Sequence, residues 1–325
     1  MAEDNHPHIF IYTGIEEVPQ NVLHVLIQST NTIPDRAFFG RRLLQTVQCS
    51  QQVIKIGRNS FTHCHSLRWI SLPGVVDIDI LAFANCANLE DVEFGDKLEM
   101  IREDAFRWCS SLRYIRLPSS SSIREIRSHA FMKCTRLTDV EISSESLEVI
   151  GRYAFAECPA LKRIVLPLKN GIITGNSEFG WCSNVTTVHL AHEGKVMKTV
   201  SSLQLECWRK EMTTEIESIN QILPNTSSYA NEKTGAIQQW IRTVLLRLEQ
   251  YKTEHNDLLI EAATILELAL WNSKLKKDTT HHRRDVERDE QKRRVDCRVN
   301  CGSDIIIPNV LAFLKLPDEN SGARD

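Results

Sequence analysis

The chain has 325 residues, 42% of them hydrophobic and 25% charged, enough for a large core and a length that suggests two structural units. Its 39 basic and 42 acidic residues leave a formal net charge of -3, so no whole-protein field holds nucleic acid or an anionic membrane. Binding to either would need a local patch.

Residues 1–21 read as an N-terminal lead-in. Acidic side chains stand where a secretory signal needs a basic stretch, and the apolar run Ile9 to Tyr12 is too short for a signal core. No stretch approaches the length of a membrane span. The expected location is therefore cytoplasmic or nuclear, where the ten cysteines stay reduced and a disulfide framework is not expected. Asn184-Val-Thr and Asn225-Thr-Ser fit the glycosylation pattern, but without secretion that reading lapses.

From residue 22 to about 195 the sequence repeats itself. Phenylalanine recurs at Phe38, Phe61, Phe83, Phe106, Phe131, Phe155 and Phe179, with gaps of 23, 22, 23, 25, 24 and 24. Alanine precedes it in five of the seven cases, and from Phe61 onward a cysteine follows three residues later, at Cys64, Cys86, Cys109, Cys134, Cys158 and Cys182. Each unit then carries an aliphatic triplet such as Leu112, Ile115, Leu117, whose last two members alternate with polar residues at strand periodicity. Pro73, Pro118 and Pro167 end three of these strands, and clusters such as Val149-Ile150-Gly151 lead into the next coil.

Written as I-G-x-x-A-F-x-x-C-x-x-L-x-x-I-x-L-P, these units resemble the BspA-like class of leucine-rich repeats. The resemblance covers about half the chain and implies an α/β fold: a leucine-rich-repeat solenoid with one short parallel strand per coil of 22–25 residues, about eight strands in all, followed by an α-helical C-terminal region. The first strand is expected at Val22 to Ile27, and Arg41, where later units have cysteine, marks an N-terminal cap, since end repeats need not match the interior.

One coil cannot enclose its own apolar side chains, so Phe, Leu and Ile of successive coils must stack into a continuous core. The cysteines, at one repeat position, read as small buried hydrophobes with a weak donor for nearby carbonyls, inert without an electropositive neighbour. Side chains flanking the buried strand positions should line the exposed sheet face: Trp69 and Ser71, Asp91 and Glu93, Tyr114 and Arg116, Asp139 and Glu141, Arg163 and Val165, Thr187 and His189. From these, the candidate partner-binding residues are Trp69, Asp91, Glu93, Tyr114, Arg116, Asp139, Glu141, Arg163 and His189. Arg116 is expected between Glu93 and Glu141, and Tyr114 between Asp91 and Asp139. The alternating signs argue against a phosphate-tracking groove.

Residues 200–276 change to helical spacing, with three apolar stripes: Leu205 to Leu223, Ile237 to Tyr251, and Leu259 to Leu270. The expectation is that they pack on one another and cap the last coil; the third, unusually apolar, also suggests self-association. Residues 277–304 form a charged linker, and the ten basic residues of 274–298 are interleaved with acids. Cys297 and Cys301 have a spacing that allows two zinc ligands, whereas a closed site needs four. A terminal docking segment, 305–317, completes the chain. This tail, with R-R-x-x-C-R-x-x-C-G, is similar to C-terminal extensions of uncharacterised diatom repeat proteins, a resemblance that assigns no activity.

No Walker or Rossmann glycine run, G-x-S-x-G or H-E-x-x-H occurs, and none of the histidines, His63 and His65 beside a ladder cysteine included, forms a base-nucleophile pair. No catalytic residue, cofactor or metal is therefore assigned. The reading is a non-catalytic protein-protein interaction module or scaffold, working through the sheet face or the helical tail. Nucleic acid and membrane are not expected partners. Two alternatives stay open: a nuclear or nucleic-acid-associated protein using segment 274–298, and a surface adhesin if the true N-terminus carries a signal.

Overall fold

A computed structural model of the chain describes residues 9–175, 177–191, 193–203, 205–227 and 231–281. The segment 305–317, Cys297 and Cys301, and the linker beyond residue 281 lie outside the described residues. Two compact units are present, one within Met1–Gly194 and Thr214–Leu245, the other within Lys195–Thr213 and Leu246–Asp325.

In chain order the strands of the first unit are β1 (Ile9–Tyr12), β2 (His24–Ile27), β3 (Thr32–Ile33), β4 (Thr46–Cys49), β5 (Lys55–Ile56), β6 (Trp69–Leu72), β7 (Asp77–Ile78), β8 (Asp91–Phe94), β9 (Met100–Ile101), β10 (Tyr114–Leu117), β11 (Glu125–Ile126), β12 (Asp139–Ile142), β13 (Val149–Ile150), β14 (Arg163–Leu166) and β15 (Thr187–Leu190). All pairings are parallel, and coil stacks on coil as a solenoid. Each interior coil through β13 holds two strands rather than the one expected. The four-residue strands form sheets β1-β2-β4-β6-β8 and β10-β12-β14-β15, and the two-residue strands form a third, β3-β5-β7-β9-β11-β13. The second aliphatic cluster of each coil, followed by glycine at Ile56 and Ile150, is the source of this third sheet: Ile33, Ile56, Ile78, Ile101, Ile126 and Ile150 are all fully buried.

Between the sheets runs a stack of phenylalanines. Phe38, Phe61, Phe83, Phe106, Phe131, Phe155 and Phe179 are buried, each ring nearly parallel to the next, with centroid separations rising from 4.8 Å at Phe38–Phe61 to 5.6 Å at Phe155–Phe179. Offset stacking at this spacing adds to the burial of the rings. Beside them, Cys64, Cys86, Cys109, Cys134, Cys158 and Cys182 each donate Sγ–H to the phenylalanine carbonyl of the preceding coil, at 3.0 to 3.4 Å. Burial pushes the Cys64 and Cys134 thiols up to about 12 and raises Cys86, Cys109 and Cys158 as well. A small side chain with a donor suits this place, because a second backbone passes within reach. Coil contact is just as close at Gly95, where an added Cβ would meet the Pro73 carbonyl oxygen at 2.1 Å.

The solenoid begins earlier than expected. Ile9–Tyr12 is a strand in full register with β2, Ile9 opposite His24 and Tyr12 opposite Ile27. Its buried Tyr12 ring meets Phe38 edge to face at 5.0 Å and closes the aromatic stack. Arg41, in the cysteine position of the first coil, donates from Nε to the Val18 carbonyl at 3.0 Å and ties the lead-in to that coil. A cysteine could not reach so far.

At the other end the unit lacks a further coil, and side chains replace it. Asn220 accepts the Val188 N–H at 2.8 Å, and Thr234 Oγ1 accepts the Phe179 N–H at 3.1 Å. The buried Lys233 ammonium donates to the carbonyls of Val185 and Leu223 at 2.8 and 2.9 Å, while Gln238 donates to Ile173 at 3.1 Å. These groups stand on the helices α2 (Glu206–Ile222) and α3 (Glu232–His281). Edge groups that would otherwise lose water without a partner are thereby satisfied.

The helices differ from the expected three. An additional helix, α1 (Glu193–Ser202), precedes the first stripe, and the second and third stripes form one continuous α3 of 50 residues. In the second unit Trp208 stacks on Tyr251 at 5.2 Å, the Tyr251 hydroxyl bonds to Glu211, and His255, Leu259 and Ala263 are buried. Burial, reinforced by Glu211, pushes the Tyr251 phenol up to about 12. The rest of the third stripe is not covered by the described residues: Ile265 and Leu266 are exposed, as are their neighbours Leu268 and Trp271. A core-forming stripe requires a facing partner, and only Leu259 and Ala263 of this segment are buried.

Candidate functional site: the outer face of the long-strand sheet

The nine candidate residues stand on the four-residue strands, because alternate side chains there face away from the Phe stack. The register aligns Trp69 with Asp91 across β6 and β8. It aligns Tyr114, Asp139, Arg163 and Thr187 in one row and Arg116, Glu141, Val165 and His189 in a second. Asp91, Glu93, Tyr114 and Arg116 are exposed, whereas Trp69, Asp139, Glu141, Arg163 and His189 are half-buried. Ser71 and Val165, expected on the same exposed face, are buried.

The residues do not form one uninterrupted strip. Strands β8 and β10 belong to different sheets, so Arg116 has Glu141 as a ladder neighbour but no ladder register with Glu93, and Tyr114 likewise neighbours Asp139 but not Asp91. The break coincides with Phe94, an aromatic ring where the other interior coils hold Cys, Leu or Ile, packed edge-on against Phe106 at 5.9 Å. The coils still adjoin there, with the Arg113 N–H donating to the Glu90 carbonyl at 3.5 Å.

Charge is arranged differently on the two kinds of sheet. Beside the two-residue strands, Arg102 grips Asp77 through two hydrogen bonds of 2.8 and 3.1 Å, and Lys55 bonds Asp79 at 3.0 Å and lies 3.7 Å from Asp77. The Asp79 hydrogen bond holds the Lys55 ammonium above its usual value. Arg127 pairs with Glu125 further along. On the long-strand face no ion pair among the described residues joins any of the nine, although Arg116 faces Glu141 and Arg163 faces Asp139 in register. Arg116 instead lies over the Tyr114 ring, 5.1 Å from its centroid.

The sequence matches the BspA type leucine rich repeat region in six copies, over residues 31–124 and 119–231. The chain belongs to that family. Among solved structures it is similar to a leucine rich repeat protein of T. pallidum, at 28% identity over 48% of this chain and 68% of that one, TM-score 0.40. It is also similar to a leucine rich cell surface protein of Faecalibacterium prausnitzii (26%, 48% of each chain, 0.34) and to a leucine-rich repeat protein of Bacteroides ovatus (25%, 52% and 55%, 0.37). The chain spans about half the length of these last two. No curated protein matches. Leucine-rich-repeat proteins generally mediate protein-protein interaction or adhesion, and their solenoids are typically non-catalytic.

Two parts of this BspA-type surface escaped the sequence reading. The first lies on the same face: Ile9 and Ile11 extend it, exposed and apolar, next to His24 and Leu26. The signal was the alternation of Ile9-Phe10-Ile11-Tyr12, which lacks the Ala-Phe marker of a full coil. The second lies on the turns, where Trp108 and Trp181 recur two residues after the core phenylalanine. Among the described residues no helix is long and apolar enough to cross a membrane, and no group of three or more His, Cys, Asp or Glu is placed to hold a metal ion.

Proposed function

We propose that this chain is a non-catalytic protein-interaction module that contacts a partner protein through the outer face of β6, β8, β10, β12, β14 and β15. The observation that carries the reading is a contrast in pairing among the described residues: Lys55, Asp77, Asp79, Arg102, Glu125 and Arg127 beside the two-residue strands join in ion pairs, and none of the nine candidates on the long-strand face does. Unpaired Arg, Asp and Glu around Tyr114 and Trp69 combine steering charge with the side chains that dominate binding energy at interfaces. The mixture of signs disfavours a nucleic-acid backbone as the partner. A double variant, Arg116→Ala with Glu141→Ala, should abolish capture of the partner by the tagged full chain, while Arg102→Ala with Asp77→Ala should leave it intact. Equal capture by both would refute the sheet-face assignment.

One observation favours a second reading, self-association through α3. Leu268 and Trp271, three residues apart on one helical face, are about half exposed. Sedimentation of the full chain should then show a dimer that Leu268→Glu dissociates; a monomer at all concentrations would dispose of it.

A further inference from the structure

The turns opposite the regular strands carry a second, differently built surface. In every turn but the last, two residues adopt left-handed backbone, one two residues before the core phenylalanine and one two residues after it, as in Asp104 (φ 57°) and Trp108 (φ 62°); the last turn keeps only the second, Trp181. Glycine and asparagine suit such a position, and Gly40 and Asn85 occupy it in two coils. Trp108 and Trp181 occupy it in two others, at φ 62° and 56°, with 40% and 47% of their surface exposed. Neither the backbone nor the core benefits from a bulky ring there.

Between the two tryptophans, at the same turn position of the intervening coils, stand Lys133 and Glu157, 3.5 Å apart as an ion pair. Trp181 and this pair, together with Thr135 and Pro159, line an open depression of about 650 Å³. The tryptophans are three coils apart, roughly 14 Å at the parallel-strand spacing. Trp108 already carries the Arg107 guanidinium over its ring, 4.4 Å from the centroid, with the Lys133 ammonium 5.4 Å away; Arg107 also bonds Asp104 at 3.1 Å, and Trp181 stacks on Tyr153 at 6.4 Å.

We propose that this turn surface is a binding site for an extended neutral oligosaccharide. A pyranose ring presents an apolar C–H face, which packs flat on an exposed indole, and a rim of hydroxyls that both donate and accept. Neighbouring hydroxyls donate to the Glu157 carboxylate and accept from the Lys133 ammonium, two groups already held side by side. The pairing also selects against charged ligands. A phosphate or sulfate meets Glu157, and a cationic peptide meets Lys133. The Trp181 indole receives one sugar face beside the donor-acceptor pair, and the row of turns leading towards Trp108, whose ring lies under Arg107, gives an extended chain its direction. This site is independent of the sheet face, and neither depends on the other.

The full chain is titrated with cellohexaose, mannohexaose and xylohexaose, with heparin as a polyanionic control, by calorimetry and intrinsic tryptophan fluorescence at low and high salt. Expected is saturable binding of at least one neutral hexasaccharide with an affinity unchanged by salt, weakened at least tenfold in Trp181→Ala and in Glu157→Gln. Both variants should keep the parent melting temperature, since neither side chain is part of the core. Absence of binding by all three sugars, undiminished binding by Trp181→Ala, or binding of heparin alone with loss at high salt would each overturn the proposal. If Trp181→Ala fails to fold, Glu157→Gln decides in the same way.

Discussion

The long-strand and short-strand sheets grow from the same coils and cover the same phenylalanine stack, yet their surfaces differ. On the short-strand side, Lys55 and Arg102 pair with Asp77 and Asp79, although the exposed Glu99, Arg124 and Glu148 further along form no ion pair among the described residues. On the long-strand side, Arg116, Glu141, Asp139 and Arg163 alternate in sign without an ion pair. A repeat fixes which positions point outward, and the choice of residues at those positions decides whether a face is used up internally or left for a partner.

The largest contrast concerns the interior both sheets share. If it is closed, labelling Cys64 through Cys182 in the native protein requires opening of the coils, slowing it by about 10³-fold or more relative to exposed Cys207. Site-resolved mass spectrometry after timed alkylation measures this, and comparable rates would break the picture of a closed stack. The raised thiols also set a pH trend: unfolded cysteines lose protons near 9 while folded ones hold them to about 12, so stability falls as pH rises through that window.

Phe106→Ala should cost about 3 to 5 kcal/mol by denaturant titration, the usual range for an emptied aromatic core site. Hydrogen exchange should accelerate in both sheets alike, because one stack supports both; loss confined to one sheet would contradict a shared core. Lys233→Leu should cost roughly 1 to 3 kcal/mol by leaving the Val185 and Leu223 carbonyls unsatisfied. That loss should loosen β15 first, since the short-strand sheet ends earlier, at Val149–Ile150. Smallest of all, Arg102→Ala should lower stability by about 0.2 to 1 kcal/mol through its lost cross-strand pairs, and Arg116→Ala by less. A larger loss for Arg116→Ala would mean that the long-strand face is also paired in solution.

The interior coils were legible because a stacked core repeats its side chains at every turn: Phe, Cys and the aliphatic triplets all stand where their spacing put them. At the ends, the caps themselves were legible from Arg41 in a cysteine position and from the helical stripes after the last coil, but most of the side chains that make them were not, because capping follows no repeat. Tyr12 closes one end by its ring against Phe38, while Arg41 there, and Asn220, Lys233 and Thr234 at the other end, each reach a particular backbone group. The short strands were hidden because two residues carry no periodicity. On the candidate face the outward positions followed from alternation. The break between β8 and β10, and the burial of Ser71 and Val165, depend on three-dimensional packing that alternation does not encode. On the third stripe, packing and self-association both stayed open for the same reason: an apolar stripe shows what can be buried, not what buries it.

The most direct test of the account is site-specific photocrosslinking of the full chain in an extract of its native cells, with the reactive residue placed at Arg116 or at Asp77. A partner adduct at position 116 and none at 77 is the expected result. Adducts equal at both positions, or formed only at 77, would contradict the claim that the unpaired long-strand face is the contact surface.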